Sequence, residues 1–373
     1  MRVGLVVSGG VDRSGRDRII PSLLWLIERL ARQHELHVFA LHYEDTPCSY
    51  PLLGATVHDL GTRRVPRGLR RLTQRGRLLA WLATLPPMDI LHAYWGIPAG
   101  WVATAAGRSL GLPVIVTADS GEFVADKDIA YGFQRRRIDR RLIAETMSRA
   151  ARVTVCTHHM AGLASRHNLT TEIIPMGVPD TSFTDATRPG GPPWRLLQVA
   201  HLNRVKDQAT LIRAVATLQS THPDVSLDIA GEDTLGGEIA RMAEAIGVAP
   251  LVALHGALRH DEVQSLISRA HLYVQSSRHE AAGVAVLEAA AAGVPTVGTN
   301  VGYVADWAPD AAIAVPAGDS GALAHAIARL LDDPETRNRL GMKARARSGA
   351  FTADDTAHAF DALYREVRRQ KRH

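Results

Sequence analysis

Cysteine is almost missing from this chain: Cys48 and Cys156 are the two in 373 residues, far apart and outside any metal or redox spacing. A disulfide scaffold is thereby excluded, and a reducing cytoplasm is the expected setting. The 17 histidines show no His-Glu-x-x-His or similar ligand spacing, so no structural metal is expected. No apolar run approaches the roughly 20 residues that span a bilayer. The opening MRVGLVVSGG is too short for a secretory core and reads as a first buried strand entering a glycine turn. That turn, Ser8-Gly9-Gly10, lacks the G-x-G-x-x-G spacing, which argues against a dinucleotide-dependent oxidoreductase. Aromatic residues make up only 5% and do not interleave with the arginines, so nucleic acid is not expected as a partner.

What is present describes a globular α/β chain, 46% hydrophobic and 22% charged, long enough for two domains. Strands are expected at Val3 to Val7, Leu36 to Leu41, Ile90 to Ala93, Val114 to Thr117, Val153 to Cys156 and Glu172 to Ile174. Helical patterns separate several of them, as in a parallel sheet covered on both faces. The turn-rich TRPGGPPW from Thr187 to Trp194 is the expected linker. A second set follows, with strands near Leu196 to Ala200, Ser226 to Ala230, Val252 to His255, Leu272 to Gln275, Thr296 to Gly298 and Ile313 to Val315. The expected domains are 1–187 and 188–349, with a terminal helical segment over 350–373.

The net charge of +5 is concentrated in two arginine clusters, Arg63 to Arg77 and Arg135 to Arg141. In the first, Leu69, Leu72, Gly76, Leu79 and Ala83 follow helical spacing and form the expected buried stripe. Each cluster reads either as a solvated helix face or as a peripheral contact for an anionic membrane surface.

The chemistry concentrates between Ser276 and Val297, SSRHEAAGVAVLEAAAAGVPTV. Glu280 lies in a loop, and Glu288 lies inside a run of apolar and small residues that gives a helix no polar face. Glu288 is therefore expected to be buried, and a buried carboxylate requires a partner that the neighbouring sequence does not supply. Gly283 allows close backbone approach at the helix start, where free amides attract phosphate. Earlier, Leu196 to Ala200 enters HLNRVKDQ, whose Lys206, expected at the start of a helix, can neutralise a diphosphate leaving group. The glycine turn DIAGEDTL with Gly231 and the turn at His255-Gly256 are further, weaker candidates for a nucleotide site.

Glu, seven residues, Glu, followed by an Ala-rich helix and Gly-Val-Pro, resembles the signature of the retaining glycosyltransferases of family four. The resemblance implies a GT-B fold, two doubly wound Rossmann-like domains facing an inter-domain cleft, with the last helix crossing back to the first domain. It implies a nucleotide-diphosphate sugar as donor, a glycan or lipid-linked hydroxyl as acceptor, and no separate cofactor. By resemblance Glu280 contacts donor-sugar hydroxyls, Glu288 holds the ribose, and the amides around Ala282, Gly283 and Val284 face the sugar and diphosphate. Gly10 would lie near donor phosphates and acceptor. Two departures stand out: the family's Gly-Arg-Leu is Ala200-His201-Leu202 here, with Arg204 in place to restore the charge, and Thr-x-His-Gly is Thr117-Ala118-Asp119-Ser120-Gly121. Asp119 thus stands where a histidine near the reacting sugar is usual, and is read as orienting an acceptor hydroxyl or stabilising anomeric charge. The rival readings are an epimerase or hydrolase on the same fold and a non-catalytic sugar-nucleotide binder.

Overall fold

Consecutive apolar positions such as Val3 to Val7 suit a strand only when both of its faces are covered, the condition of a parallel sheet between helices. The computed structural model describes residues 1–16, 18–41, 44–61, 70–179, 190–350 and 352–371, and these runs are its strands. The chain divides into two units, Met1–Met176 together with Ala353–His373, and Gly177–Thr352.

In the first unit the elements run β1 (Arg2–Val7), α1 (Pro21–Ala31), β2 (Glu35–Ala40), β3 (Cys48–Leu52), β4 (Ala55–Asp59), α2 (Arg70–Thr84) and β5 (Ile90–Tyr94). They continue with α3 (Trp101–Leu110), β6 (Val114–Ala118), α4 (Arg137–Arg149), β7 (Arg152–Val155), α5 (His158–Ser165) and β8 (Glu172–Ile173). Among the described residues these form one sheet in the order β3-β4-β2-β1-β5-β6-β7-β8. Every neighbouring pair is parallel except β3 with β4. Strand order reverses between β1 and β5, the kind of switch point where open α/β sheets bind ligands.

The second unit holds β9 (Trp194–Val199), α6 (Gln208–Leu218), β10 (Val225–Ala230), α7 (Glu238–Ile246), β11 (Val252–Gly256), α8 (His260–Arg269) and β12 (Leu272–Gln275). It is completed by α9 (Val284–Ala291), β13 (Thr296–Thr299), α10 (Gly302–Trp307), β14 (Ala312–Val315), α11 (Ser320–Asp332) and α12 (Pro334–Gly349). Its sheet is wholly parallel in the order β11-β10-β9-β12-β13-β14, with the switch point between β9 and β12. Leu196, Leu227 and Val274 from the strands meet Leu211, Val215 and Ile327 from the helices in its core.

The terminal helix α13 (Ala353–Gln370) belongs to the first unit and buries Phe360, Leu363, Tyr364 and Val367, one helical face. The Tyr364 hydroxyl lies 2.6 Å from His92 Nδ1, and His92 Nε2 lies 2.7 Å from Thr117 Oγ1, which in turn meets Thr154 Oγ1 at 2.7 Å. This chain of hydrogen bonds satisfies a fully buried imidazole, and burial pushes the His92 pKa down to about 3.

Several expectations change. Trp194, expected at the end of the linker, begins β9, while 187–189 lie outside the described residues, as do Arg63, Arg64, Arg67 and Leu69. The stripe expected on α2 is the wrong one: Leu72 is 57% exposed, Gly76 and Ala83 face solvent and Leu79 is half-buried, whereas Gln74, Leu78 and Leu82 are buried. Polar side chains decide this phase, because Gln74 Nε2 donates to Leu41 O at 3.2 Å and Arg77 Nη1 donates to Leu60 O at 2.9 Å. Arg70, Arg135, Arg136, Arg137, Arg140 and Arg141 are exposed. Among the described residues no helix is long and apolar enough to cross a membrane.

Candidate functional site

The carboxyl ends of β9 and β12, side by side at the switch point, bring Lys206 and Glu280 together. After β9 the chain turns through Asn203, whose Oδ1 accepts the backbone amides of Val205 and Lys206, both at 3.0 Å. Lys206 does not begin the helix, as expected from sequence; Asp207, in the left-handed region, is the N-cap and α6 starts at Gln208. The turn is tied to the β12 loop by Arg278 N donating to Val205 O at 2.7 Å and Ser276 Oγ donating to Lys206 O at 2.8 Å. Buried Gln198 Nε2 donates to Ser276 Oγ at 2.9 Å from beneath.

Held by these contacts, Lys206 Nζ donates to Glu280 Oε1 at 2.5 Å, and Ser277 Oγ donates to the same oxygen at 2.7 Å. Ser277 O in turn accepts Thr299 Oγ1 at 2.5 Å. A carboxylate with a cation and a hydroxyl on one oxygen retains acceptor capacity on the other. The loop then reaches Gly283, the N-cap of α9 at φ +85°, with no side chain capping the helix start. Gly302, at φ +57°, presses against this loop: a Cβ there would stand 2.4 Å from Ala282 O and 2.9 Å from Glu280 Cβ. Tyr303 N completes the buttress by donating to Ala282 O at 2.8 Å.

Glu288 lies about one turn along α9, beyond Val284, the helix's first residue, and is 6% exposed. Burial raises its pKa to about 7. The partner its position demanded is His260, whose Nδ1 lies 3.6 Å from Glu288 Oε1. Tyr273 of β12 is buried nearby and donates its hydroxyl to Val199 O at 3.3 Å. Gly231 follows β10 and sits against the β9 loop, where a Cβ would meet Ala200 O at 2.1 Å.

Three candidates are placed differently from the sequence reading. Arg204, expected to supply charge beside Lys206, pairs instead with Glu238 of α7 at 2.7 Å. His201 is exposed, and its backbone carbonyl accepts Gln208 Nε2 at 3.2 Å. His255 stands on the edge strand β11 with Nε2 2.6 Å from Asp228 Oδ1, two strands away from β9.

The first unit has its own concavity at the β1/β5 switch point, about 340 Å³, lined by Gly10, Ile20, Trp95, Ile97, Ser120 and Phe133 among others. Trp95 holds φ +75°, a strained conformation for a large side chain. The residue that fixes this wall is Glu122, 0% exposed. Its Oε1 accepts Gly96 N at 2.9 Å and its Oε2 accepts Ser120 N at 2.8 Å, while Gln134 Nε2 donates to its backbone carbonyl at 2.6 Å. Burial nonetheless raises its pKa, opposed by the amides. Asp119, at the end of β6, accepts the Cys156 thiol at 3.2 Å. Sequence reasoning passed over Glu122, Ser277, His260 and Gly302; a Gly in the VGYV turn and a Glu inside a loop motif were the only signals.

Comparison with known proteins identifies the family. Residues 182–347 match the family described as Glycosyl transferases group 1, and residues 19–177 match the Glycosyl transferase 4-like domain. Glycogen synthase of Mycobacterium tuberculosis is 34% identical over 190 residues, 50% of this chain, which thus spans about half (46%) of that enzyme's length. D-inositol 3-phosphate glycosyltransferase of Segniliparus rotundus is 25% identical over 97% of this chain and 86% of its own. Among solved structures, sucrose-phosphate synthase of Thermosynechococcus elongatus superimposes with a TM-score of 0.81 at 20% identity, covering 98% of this chain and 99% of that one. Anabaena HepE, solved with UDP-glucose, gives 0.76 at 14% identity over 98% and 100%. The chain belongs to the family-four glycosyltransferases and has the GT-B fold of two parallel-sheet α/β domains.

Proposed function

We propose that the protein is a retaining glycosyltransferase that moves a hexose from a nucleotide-diphosphate sugar to a hydroxyl acceptor. The observation that carries this reading is the Lys206–Glu280–Ser277 cluster beside the start of α9, with Glu288 buried about one turn into that helix. A ligand with a diphosphate flanked by two sets of hydroxyls matches that order of groups: amides and ammonium for the phosphates, a carboxylate at each side for the hydroxyls. That HepE was solved with UDP-glucose supports a nucleotide sugar as the donor.

In this reading Glu280 orients the donor sugar, and its ion pair with Lys206 keeps the ammonium at the point where the bond to the leaving phosphate breaks. Lys206 and the α9 amides then bear the charge that develops on the departing diphosphate, the task that a metal performs in other transferases. The leaving phosphate oxygen takes the acceptor proton, so the nucleotide stays on the face where the new bond forms and configuration is retained. The concavity of the first unit, with its Trp95 wall and Gly10 floor, would receive the acceptor, a glycan or a lipid-linked sugar in cell-envelope biosynthesis. Asp119, bonded to Cys156 where the family pattern that the chain resembles has histidine, favours a second reading, a binder that holds the sugar nucleotide without transferring it.

Incubation with UDP-, GDP- and ADP-hexoses and a panel of glycan and lipid-linked acceptors separates the two. Glycosylated product lost in Glu280→Ala supports transfer; donor binding with no product from any acceptor supports the binder. The exposed arginines of α2 and α4 further support a peripheral, cytoplasmic-face contact with anionic membrane, which sedimentation with anionic vesicles at low salt would test.

A further inference from the structure

Glu288 is ringed by groups that do not answer its charge. Strand β12 brings the Tyr273 phenol, engaged with Val199 O, while the residues of β13, Thr296–Thr299, hold no titratable side chain. Helix α10 carries Tyr303 and Asp306, and α12 brings Arg345 beside Ala291 at the far end of α9. On α8, Asp261 and Glu262 are turned to Arg259 at 3.3 and 3.5 Å. His260 of that first turn approaches Glu288, at 3.6 Å through Nδ1.

The other ring nitrogen fixes which form of the imidazole is present. Gln264 Nε2, one helical turn on, lies 3.1 Å from His260 Nε2. An amide nitrogen donates, so Nε2 accepts and the ring proton resides on Nδ1, the atom facing Glu288. Partial burial lowers the His260 pKa, opposed by the neighbouring Asp261 carboxylate. A neutral N–H near a buried carboxylate favours its ionised form yet leaves the negative charge and most of its acceptor sites for a ligand. A lysine in the same place would instead consume both.

We propose that His260 is a positioning residue for the nucleotide's sugar: its Nδ1–H, set by Gln264, orients Glu288 to accept two neighbouring ribose hydroxyls. This rests on reading Glu288 as the ribose ligand. Binding of the nucleoside diphosphate that wild type takes up, chosen from UDP, GDP and ADP, is measured by titration calorimetry from pH 5.5 to 8.5, alongside its 2′-deoxy analogue. Glu288→Ala should weaken the ribonucleotide on the order of tenfold or more and abolish preference over the deoxy form. His260→Ala should weaken it by about fivefold, a smaller loss than that of the carboxylate itself, and move the acid fall-off of affinity to higher pH. His260→Asn, whose amide nitrogen can replace Nδ1–H, should restore both, and Glu288→Ala/His260→Ala should bind no worse than Glu288→Ala. If Glu288→Ala weakens binding but His260→Ala shows wild-type affinity and pH profile, the role of His260 is refuted and the ribose reading stands. If Glu288→Ala binds as wild type, or no nucleotide binds, both fall. A loss in His260→Ala that Asn does not restore, with the pH profile unmoved, would show a merely structural side chain and also refute the proposal.

Discussion

Glu122 and Glu280 both stand at a switch point of a parallel sheet, in loops that follow a strand's carboxyl end, yet their surroundings differ in kind. Glu122 is wholly buried and each of its oxygens is taken by a backbone amide, from Gly96 and from Ser120. Glu280 shares one oxygen between a movable ammonium and a hydroxyl, at a partly exposed site. A carboxylate committed to main-chain donors shapes a wall, whereas one held by side chains can exchange partners when a ligand arrives. Glu288 is a third case, buried with its pKa raised to about 7 and with the His260 imidazole 3.6 Å away.

That contrast can be broken by substitution. The largest expected effect is on transfer in Glu280→Ala: product formation falls to background while the melting temperature stays near wild type, and wild-type turnover would remove the distinction. Lys206→Ala should lower kcat by about 100- to 1000-fold, as when one preorganised stabilising group is deleted from a developing anion; steady-state kinetics with saturating donor reads this. Glu122→Ala should behave oppositely, costing about 2–4 kcal/mol of stability because two buried amides lose a charged acceptor, seen in urea unfolding. Near-wild-type stability in that variant would mean that Glu122 is not the tie of its wall. Gly302→Ala should reduce activity by about tenfold at lower cost to the fold, since the new methyl must displace the Ala282 carbonyl and shift the loop carrying Glu280.

Acid provides a smaller, graded test on the first unit. His92 is neutral and buried when folded, with a pKa near 3 against 6.5 unfolded, so the unfolded chain binds the extra proton between those values. Stability from this residue is therefore undiminished above pH 6.5 and falls as pH drops toward 3, by up to about 1.4 kcal/mol per pH unit. His92→Gln should flatten the acid limb of unfolding free energy; an unchanged slope would mean that the Tyr364–His92–Thr117 chain does not govern it.

The fold was legible where burial was uniform. Runs such as Val114 to Ala118 and Leu272 to Gln275 have no polar alternation to misread. The pair β3 and β4 was missed because Pro51 argues against a strand, yet β3 is an edge strand and needs few donors. Its turn, Leu53-Gly54 with both residues at positive φ, is not the Asn-Gly signal of a tight hairpin. The phase of α2 was lost because Gln74 and Arg77 satisfy backbone carbonyls from a buried face, which hydrophobic periodicity cannot register. At the candidate site, spacing and setting singled out Glu280, Glu288 and Lys206, and the structure pairs Lys206 with Glu280. The neighbours that define their chemistry were not legible, because Ser277 is one serine among many and His260 approaches from a helix 28 residues earlier in sequence than Glu288. The pairing of Arg204 was not legible, because charge near a site in sequence says nothing of Glu238 on α7.

The most direct test of the account is a thermal-shift comparison of wild type and Glu288→Ala against UDP, GDP, ADP and their hexose conjugates, since a ligand that binds only the folded state raises the melting temperature. One nucleotide class should raise it in wild type and lose most of that shift in Glu288→Ala. No shift from any nucleotide, or an equal shift in both proteins, would contradict the assignment of this site to a nucleotide sugar.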